Sequence, residues 1–250
     1  MNILVSEWIK MRSVRGTWVM AVSTVIVTIL VSLVGVTGLV GEGAVVPDDF
    51  DPTAAGFKGI LVGQLLIAAL GSQAITNEYA SGQILSTLSL VPRRRTLLLA
   101  KLAVVVMIAV PTGAATVVGA FGASQATLAA AGWPVATLAD PEVLRAVACA
   151  VVYLVLGSVL GLVFGVITRS SSGALAIIVT VALLIPALAP GIPGVVGQVA
   201  GTYWPTTAGQ ASYTVVSTGS LSPLGGLAVL TIATIWSAAA ASLVFSRRDV

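Results

Sequence analysis

Ionisable side chains are scarce in this chain, and they gather in one place. Between Asn77 and Lys101 the sequence reads NEYASGQILSTLSLVPRRRTLLLAK, which brings Glu78, Arg93, Arg94, Arg95 and Lys101 close together. A lone carboxylate and a row of cations contain no nucleophile–base pair, so they cannot run acyl or proton transfer. They can form ion pairs, fix the topology of a membrane chain, contact anionic lipid headgroups or hold a partner. The same stretch carries a helix-breaking Gly82, a short apolar face of Ile84, Leu85 and Leu88, and Pro92. Three adjacent arginines are too polar for hydrocarbon, at about 2.5–3.5 kcal/mol each near a bilayer centre. The segment therefore lies in water on one side of a membrane.

The remaining composition removes other chemistries. The chain has 250 residues, 57% of them hydrophobic and 8% charged, against about 25% charged in a soluble domain. Its solvent must be lipid. There is no His, which removes the commonest metal ligand and general base. The single Cys149 lies in an apolar run and is read as a small packing residue. No G-x-x-x-x-G-K-[ST] phosphate loop occurs, so no usual ATP site is present. No basic polar domain suits nucleic acid. No catalytic, cofactor or metal residues are assigned.

The elements that position the charged segment are helices. Residues 2–15 form an interfacial helix: Leu4, Trp8 and Met11 share a stripe while Glu7, Lys10 and Ser13 take other faces, with the basic residues among the headgroups. A cleaved signal peptide is disfavoured by Glu7, the long apolar run that follows and the lack of an A-x-A-like site. Uncharged runs predict six spans, at about 18–40, 59–77, 102–122, 144–167, 174–189 and 223–245. Trp18 is an interfacial anchor, Pro111 kinks the third span, and Arg145 snorkels at the edge of the fourth. Gly157, Gly161 and Gly165 form a small-xxx-small ridge, suited to packing within the chain or against a second copy. The coupling segment runs over 78–101. Pro186, Pro190 and Pro193 interrupt the apolar pattern, so 190–214, with Tyr203 and Trp204, reads as an external re-entrant hairpin.

Sorting charges by side orients the whole. Lys10, Arg12, Arg15, Arg93, Arg94, Arg95, Lys101, Arg169, Arg247 and Arg248 face Glu7, Glu78 and Asp249 on one side, ten against three, a net +7. Lys58 and Arg145 face Glu42, Asp48, Asp49, Asp51, Asp140 and Glu142 on the other, two against six, a net −4. By the positive-inside rule the first side, with both termini, is cytoplasmic. The expected fold is thus an all-α integral membrane protein of six transmembrane helices, multi-pass in the cell membrane.

This order of features resembles the permease subunits of type-2 ATP-binding-cassette exporters. The resemblance rests on the amphipathic start (Glu7, Lys10, Arg15, Trp18), the E-x-x-x-G element (Glu78, Gly82), the run from Pro92 to Lys101, the terminal Phe245-Ser-Arg-Arg-Asp and the broken hairpin before the last span. It implies a half-transporter that pairs with a second copy of itself or a sister permease. It also implies a cytoplasmic ATP-binding-cassette subunit that holds ATP and Mg, this chain having no cofactor of its own. On that resemblance Glu78, Gly82, Ile84, Leu85, Leu88, Arg93 and Arg94 couple to the ATPase, with Glu78 pairing to a cytoplasmic Arg. Gln64, Gln73, Asn77 and Thr112 are the polar groups of a substrate path or of helix–helix bridges, and Pro186, Pro190, Pro193, Tyr203 and Trp204 form an external gate. Apolar spans favour a hydrophobic or amphipathic cargo: a drug, a peptide antibiotic or a lipid. A transporter or channel not coupled to ATP, and a membrane scaffold, are the rival readings. Uncharged span centres weigh against ion coupling.

Overall fold

The computed structural model describes residues 3–41, 45–90, 94–216 and 221–247, with the side chains of 88 and 90 left out. Arg93, Pro92, Glu42, Arg248 and Asp249, and the Leu88 side chain, lie outside that set. Among the described residues the chain is helical with no strand. Helices α1 (Ile3–Ser13), α2 (Arg15–Thr37), α3 (Pro52–Gly56), α4 (Ile60–Ala80), α5 (Gln83–Leu90), α6 (Arg94–Ala130) and α7 (Pro141–Thr168) come first. Then α8 (Ser171–Val179) runs through a π turn at Thr180–Leu184 into α9 (Ile185–Leu188), and α10 (Val195–Tyr203), α11 (Pro205–Gln210) and α12 (Pro223–Arg247) follow. Among the described residues six stretches are long and apolar enough to span a membrane: α2, α4, α6, α7, α12 and the composite Ser171–Gly191. An even number of crossings returns α1 and the end of α12 to one face.

The α4–α7 pair is the centre of the bundle, and the glycine ridge explains how close it is. A Cβ on Gly161 would fall inside the van der Waals envelope of the Ala68 carbonyl, and one on Gly71 inside that of Ser158. Only hydrogen fits at these two crossings, and backbone-to-backbone contact replaces side-chain interdigitation. Gly165 faces Ser72 and Ile75 of α4, so the ridge serves packing within the chain.

α2 wraps α4 and α6 with its polar side inward. Thr17, Thr24, Thr28 and Ser32 are buried, while Val19, Val22, Ile26, Leu30 and Val34 are exposed. That inversion is what lipid requires: branched apolar chains outward, hydroxyls against neighbouring helices. Ser32 Oγ accepts from the Gly59 N–H at 3.1 Å, just ahead of α4.

Two clasps close the bundle at its ends. On the face opposite α1, Asp51 caps α3 by accepting from Thr53 N and Ala54 N at 2.8 and 3.0 Å. Its other oxygen accepts from Val215 N and Val216 N at 2.8 and 3.0 Å. Arg145, expected to snorkel, donates instead to the Thr214 carbonyl at 3.2 Å. On the α1 face, Arg94 donates to the Phe245 carbonyl at 3.1 Å, joining the start of α6 to the end of α12.

The third span departs furthest from expectation. α6 begins at Arg94 and ends at Ala130 instead of covering 102–122, and it runs through Pro111 as a single helix. At one end it draws Lys101 into the protein. At the other it continues past the expected end at 122, because Gln125 finds partners there: it donates to Pro52 O at 2.9 Å and accepts from Ala136 N at 2.8 Å.

Candidate functional site

Four charged side chains meet where α1, α4 and α6 converge. Glu7 and Lys10 stand three residues apart on α1 and so share a face. Glu78 lies in the last turn of α4 and Lys101 in the second turn of α6. Lys10 reaches Glu7 at 2.8 Å and Glu78 at 3.0 Å; Lys101 reaches each of the same two carboxylates at 2.7 Å. The result is a closed ring of alternating charge with zero net charge, which lets it sit in a protein interior. Glu7, Glu78 and Lys101 are buried, Lys101 to 2% of its surface.

The ring is nearly saturated. A lysine ammonium has three donors. Lys101 spends them on Glu7 Oε2, Glu78 Oε1 and the Ala74 carbonyl at 3.0 Å. Lys10 spends its three on Glu7 Oε1, Glu78 Oε1 and, at 3.3 Å, the Thr87 hydroxyl of α5. One atom is left over: the buried Glu78 Oε2 has no hydrogen-bond partner among the described residues. Glu78 lines a cleft of ≈ 470 Å³ on the α1 face, together with Gln73, Asn77, Ser81 and Gln83.

The two members on α1 are held in their charged forms. Burial is the largest single influence on the Glu7 carboxyl and pushes it up, but Lys101 and Lys10 together outweigh it and leave it below the usual value of 4.5. Burial likewise pulls on Lys10, yet hydrogen bonds to Glu7 and Glu78 hold its ammonium above 10.5.

Several sequence expectations change here. Among the described residues Glu78 pairs with two lysines, where an arginine was expected. Lys10, expected among the headgroups, reaches into the ring beside the inward-turned Glu7, and Lys101 is buried instead of solvated. The helix break falls at Ser81–Gly82, where Gly82 has φ +71°, a backbone conformation that favours glycine. Beyond it, α5 splits the apolar trio: Ile84 is 3% exposed and packs with Met11, Leu97 and Leu98, while Leu85 is 59% exposed.

The sequence profile described as ABC-2 family transporter protein matches residues 3–187, from the start of α1 through the π turn to α9. The chain belongs to the ABC-2 transporter family. It is the membrane permease component of an ABC transporter, multi-pass in the cell membrane, and that family works with an ATP-binding cassette in general. A comparison with curated proteins gives no match.

The other site residues predicted for this ABC-2 permease do not gather. Gln73 and Asn77 border the cleft beside the ring. Gln64 is buried mid-helix, accepting from the Tyr153 hydroxyl, with its amide nitrogen unpartnered among the described residues. Thr112 spends its hydroxyl on the Ile108 carbonyl at 2.8 Å within α6. The proline-rich stretch folds around the π turn. Pro186 has no N–H to give the Val181 carbonyl five residues back, and Trp204 Nε1 supplies the bond at 2.7 Å, with Thr206 Oγ1 at 3.3 Å. Pro190 lies in a 3-10 turn over Ala189–Gly191, Pro193 just ahead of Gly194 with φ +82°, and Tyr203 is exposed.

Sequence reasoning missed Glu7, Lys10, Lys101 and Thr87 as one unit. A signal for Lys101 was present: Leu97, Leu98, Lys101, Val104 and Val105 recur at helical spacing and form the buried stripe of α6.

Proposed function

We propose that this chain is half of an exporter whose work comes from ATP, held with Mg in a separate cytoplasmic ATP-binding-cassette subunit. A second copy or a sister permease completes the membrane unit. The α1 face is cytoplasmic, a reading supported by the ten basic residues assigned to it. The cargo is hydrophobic or amphipathic, since the outward faces of the spans are almost wholly apolar.

The observation that carries this reading is the buried ring. Leu85 is exposed on α5 and fits helix-in-groove docking onto a soluble partner. Two residues along, Thr87 is hydrogen-bonded to Lys10, and Lys10 to both carboxylates. A push on α5 is thereby passed at once to α1, α4 and α6. These charges do not bind cargo; they make four helices move as one body. The inward-facing cavity between two permeases then closes and an outward one opens, with the Trp204–Val181 contact midway along the fifth span.

The test is reconstitution with the ATPase subunit, scoring drug-stimulated ATP hydrolysis and efflux of a fluorescent lipophilic drug. Leu85→Asp should leave a folded permease that no longer co-elutes with the ATPase. Nucleotide-independent transport by the chain alone would overturn the proposal. So would labelling of Leu85→Cys from the outside of intact cells.

A further inference from the structure

A second groove runs down the face formed by α6, α7 and α12, lined by none of the four ring residues. It encloses ≈ 250 Å³. Arg95, Leu98, Leu99 and Leu102 line it from α6 at i, i+3, i+4 and i+7, so they form one stripe with the cation at its head. Ala238, Ala239 and Ser242 line it from α12, small residues that leave the space open, and Leu162 and Val163 of α7 close the floor. From Arg95 to Leu102 the stripe is about 10 Å long at the helical rise.

Arg95 differs from its neighbour. Arg94 is held by the Phe245 carbonyl. Arg95 is exposed and makes no hydrogen bond or ion pair among the described residues. A cation at the mouth and a lipid-facing apolar trough below it match a phosphate with an acyl chain attached. A second protein helix is a poor occupant, because covering the groove would bury an unpaired guanidinium.

We propose that this groove is a binding site for one anionic glycerophospholipid of the cytoplasmic leaflet. Its phosphate sits on Arg95, and one acyl chain lies along Leu99 and Leu102 between α6 and α12. The leaflet rests on the orientation proposed above; the groove does not depend on the ATPase, and the test reads lipid alone.

The purified permease, delipidated in mild detergent, is titrated with phosphatidylglycerol and phosphatidylcholine of matched chains and read by native mass spectrometry. The wild type should hold one phosphatidylglycerol about five-fold more tightly than phosphatidylcholine, the factor that corresponds to about 1 kcal/mol for one basic side chain at an anionic surface. Arg95→Gln should abolish the preference while still retaining either lipid. Ala239→Phe, which fills the trough, should lose both, and Arg12→Gln should change neither. Two results would overturn the proposal: an unaltered preference in Arg95→Gln, or an Ala239→Phe chain that keeps its lipid and changes its oligomeric mass instead.

Discussion

Replacing Lys101 by Met tests the ring most sharply. Lys101 is 2% exposed and its side chain contacts two carboxylates at 2.7 Å, themselves 3% and 8% exposed. Its removal leaves two buried carboxylates sharing Lys10 alone, a net charge of −1. Breaking a buried ion pair from one side costs about 3–5 kcal/mol, and since two carboxylates lose a partner the upper half of that range is expected. For a chain of this size about 1 kcal/mol moves the midpoint by about 2–4 °C, so Lys101→Met should lower the melting temperature by about 10 °C or more. Lys10→Met makes the control. The Lys10 side chain makes the same two ion pairs but is 39% exposed, water can replace it, and the loss should be nearer 1 kcal/mol. The double variant Glu7→Met/Lys101→Met restores charge balance around the remaining Glu78–Lys10 pair, and should recover at least half of what Lys101→Met alone loses. The assay is scanning fluorimetry of the purified permease at one scan rate. Equal losses for the two lysine variants, or a double variant worse than the sum of its parts, would refute the closed ring.

Other expectations follow from the same geometry. The folded Glu7 carboxyl lies below 4.5, so its contribution is present above that pH and is lost as pH falls through the lowered value; Lys10 lies above 10.5, so its contribution is present below that pH and fails as pH rises past the raised value. Thermal stability should therefore be flat between those limits, and Glu7→Gln should flatten the acid limb. Gly161→Ala, which puts a methyl into the Ala68 carbonyl, should cost about 3 kcal/mol and visibly lower the yield of monodisperse protein, while Gly157→Ala, with 3.8 Å to Ile67, should be tolerated. Trp204→Phe strips the Val181 carbonyl of its short donor and should cost about 1–3 kcal/mol. Faster backbone hydrogen exchange confined to residues 180–186 would mark the site of that loss.

The spans were readable because lipid imposes a blunt requirement: long uncharged stretches such as Trp18–Thr37 admit few other fates. The bend at Gly82 was readable from glycine itself. The ring was not, because charge was sorted by side and each ionisable residue was assumed to seek water. Lys101 follows three arginines and looks like a fourth solvated cation, but its helical phase places it with Leu97 and Val104 on the buried stripe. Glu7 and Lys10 can pair with each other on any surface, and what turns their face of α1 inward is partners 94 and 68 residues away, Lys101 and Glu78. For Ile84 and Leu85 spacing could not say which would face outward, since α5 is short and its docking onto Met11 and Leu97 is tertiary. The far end of α6 was missed for the same reason, Gln125 being held by Pro52 and Ala136.

The two clasps also set a timetable for biosynthesis. Asp51 leaves the ribosome long before Val215 and Val216, and Arg94 long before Phe245, yet each pair is bonded in the finished bundle. A nascent chain with five helices inserted has both fasteners open, with one oxygen of Asp51 still hydrated and Arg94 without that carbonyl. The first shuts when the segment ahead of α12 arrives and the second only when the end of α12 does, so a copy interrupted after five helices lacks both fastenings, one at each surface.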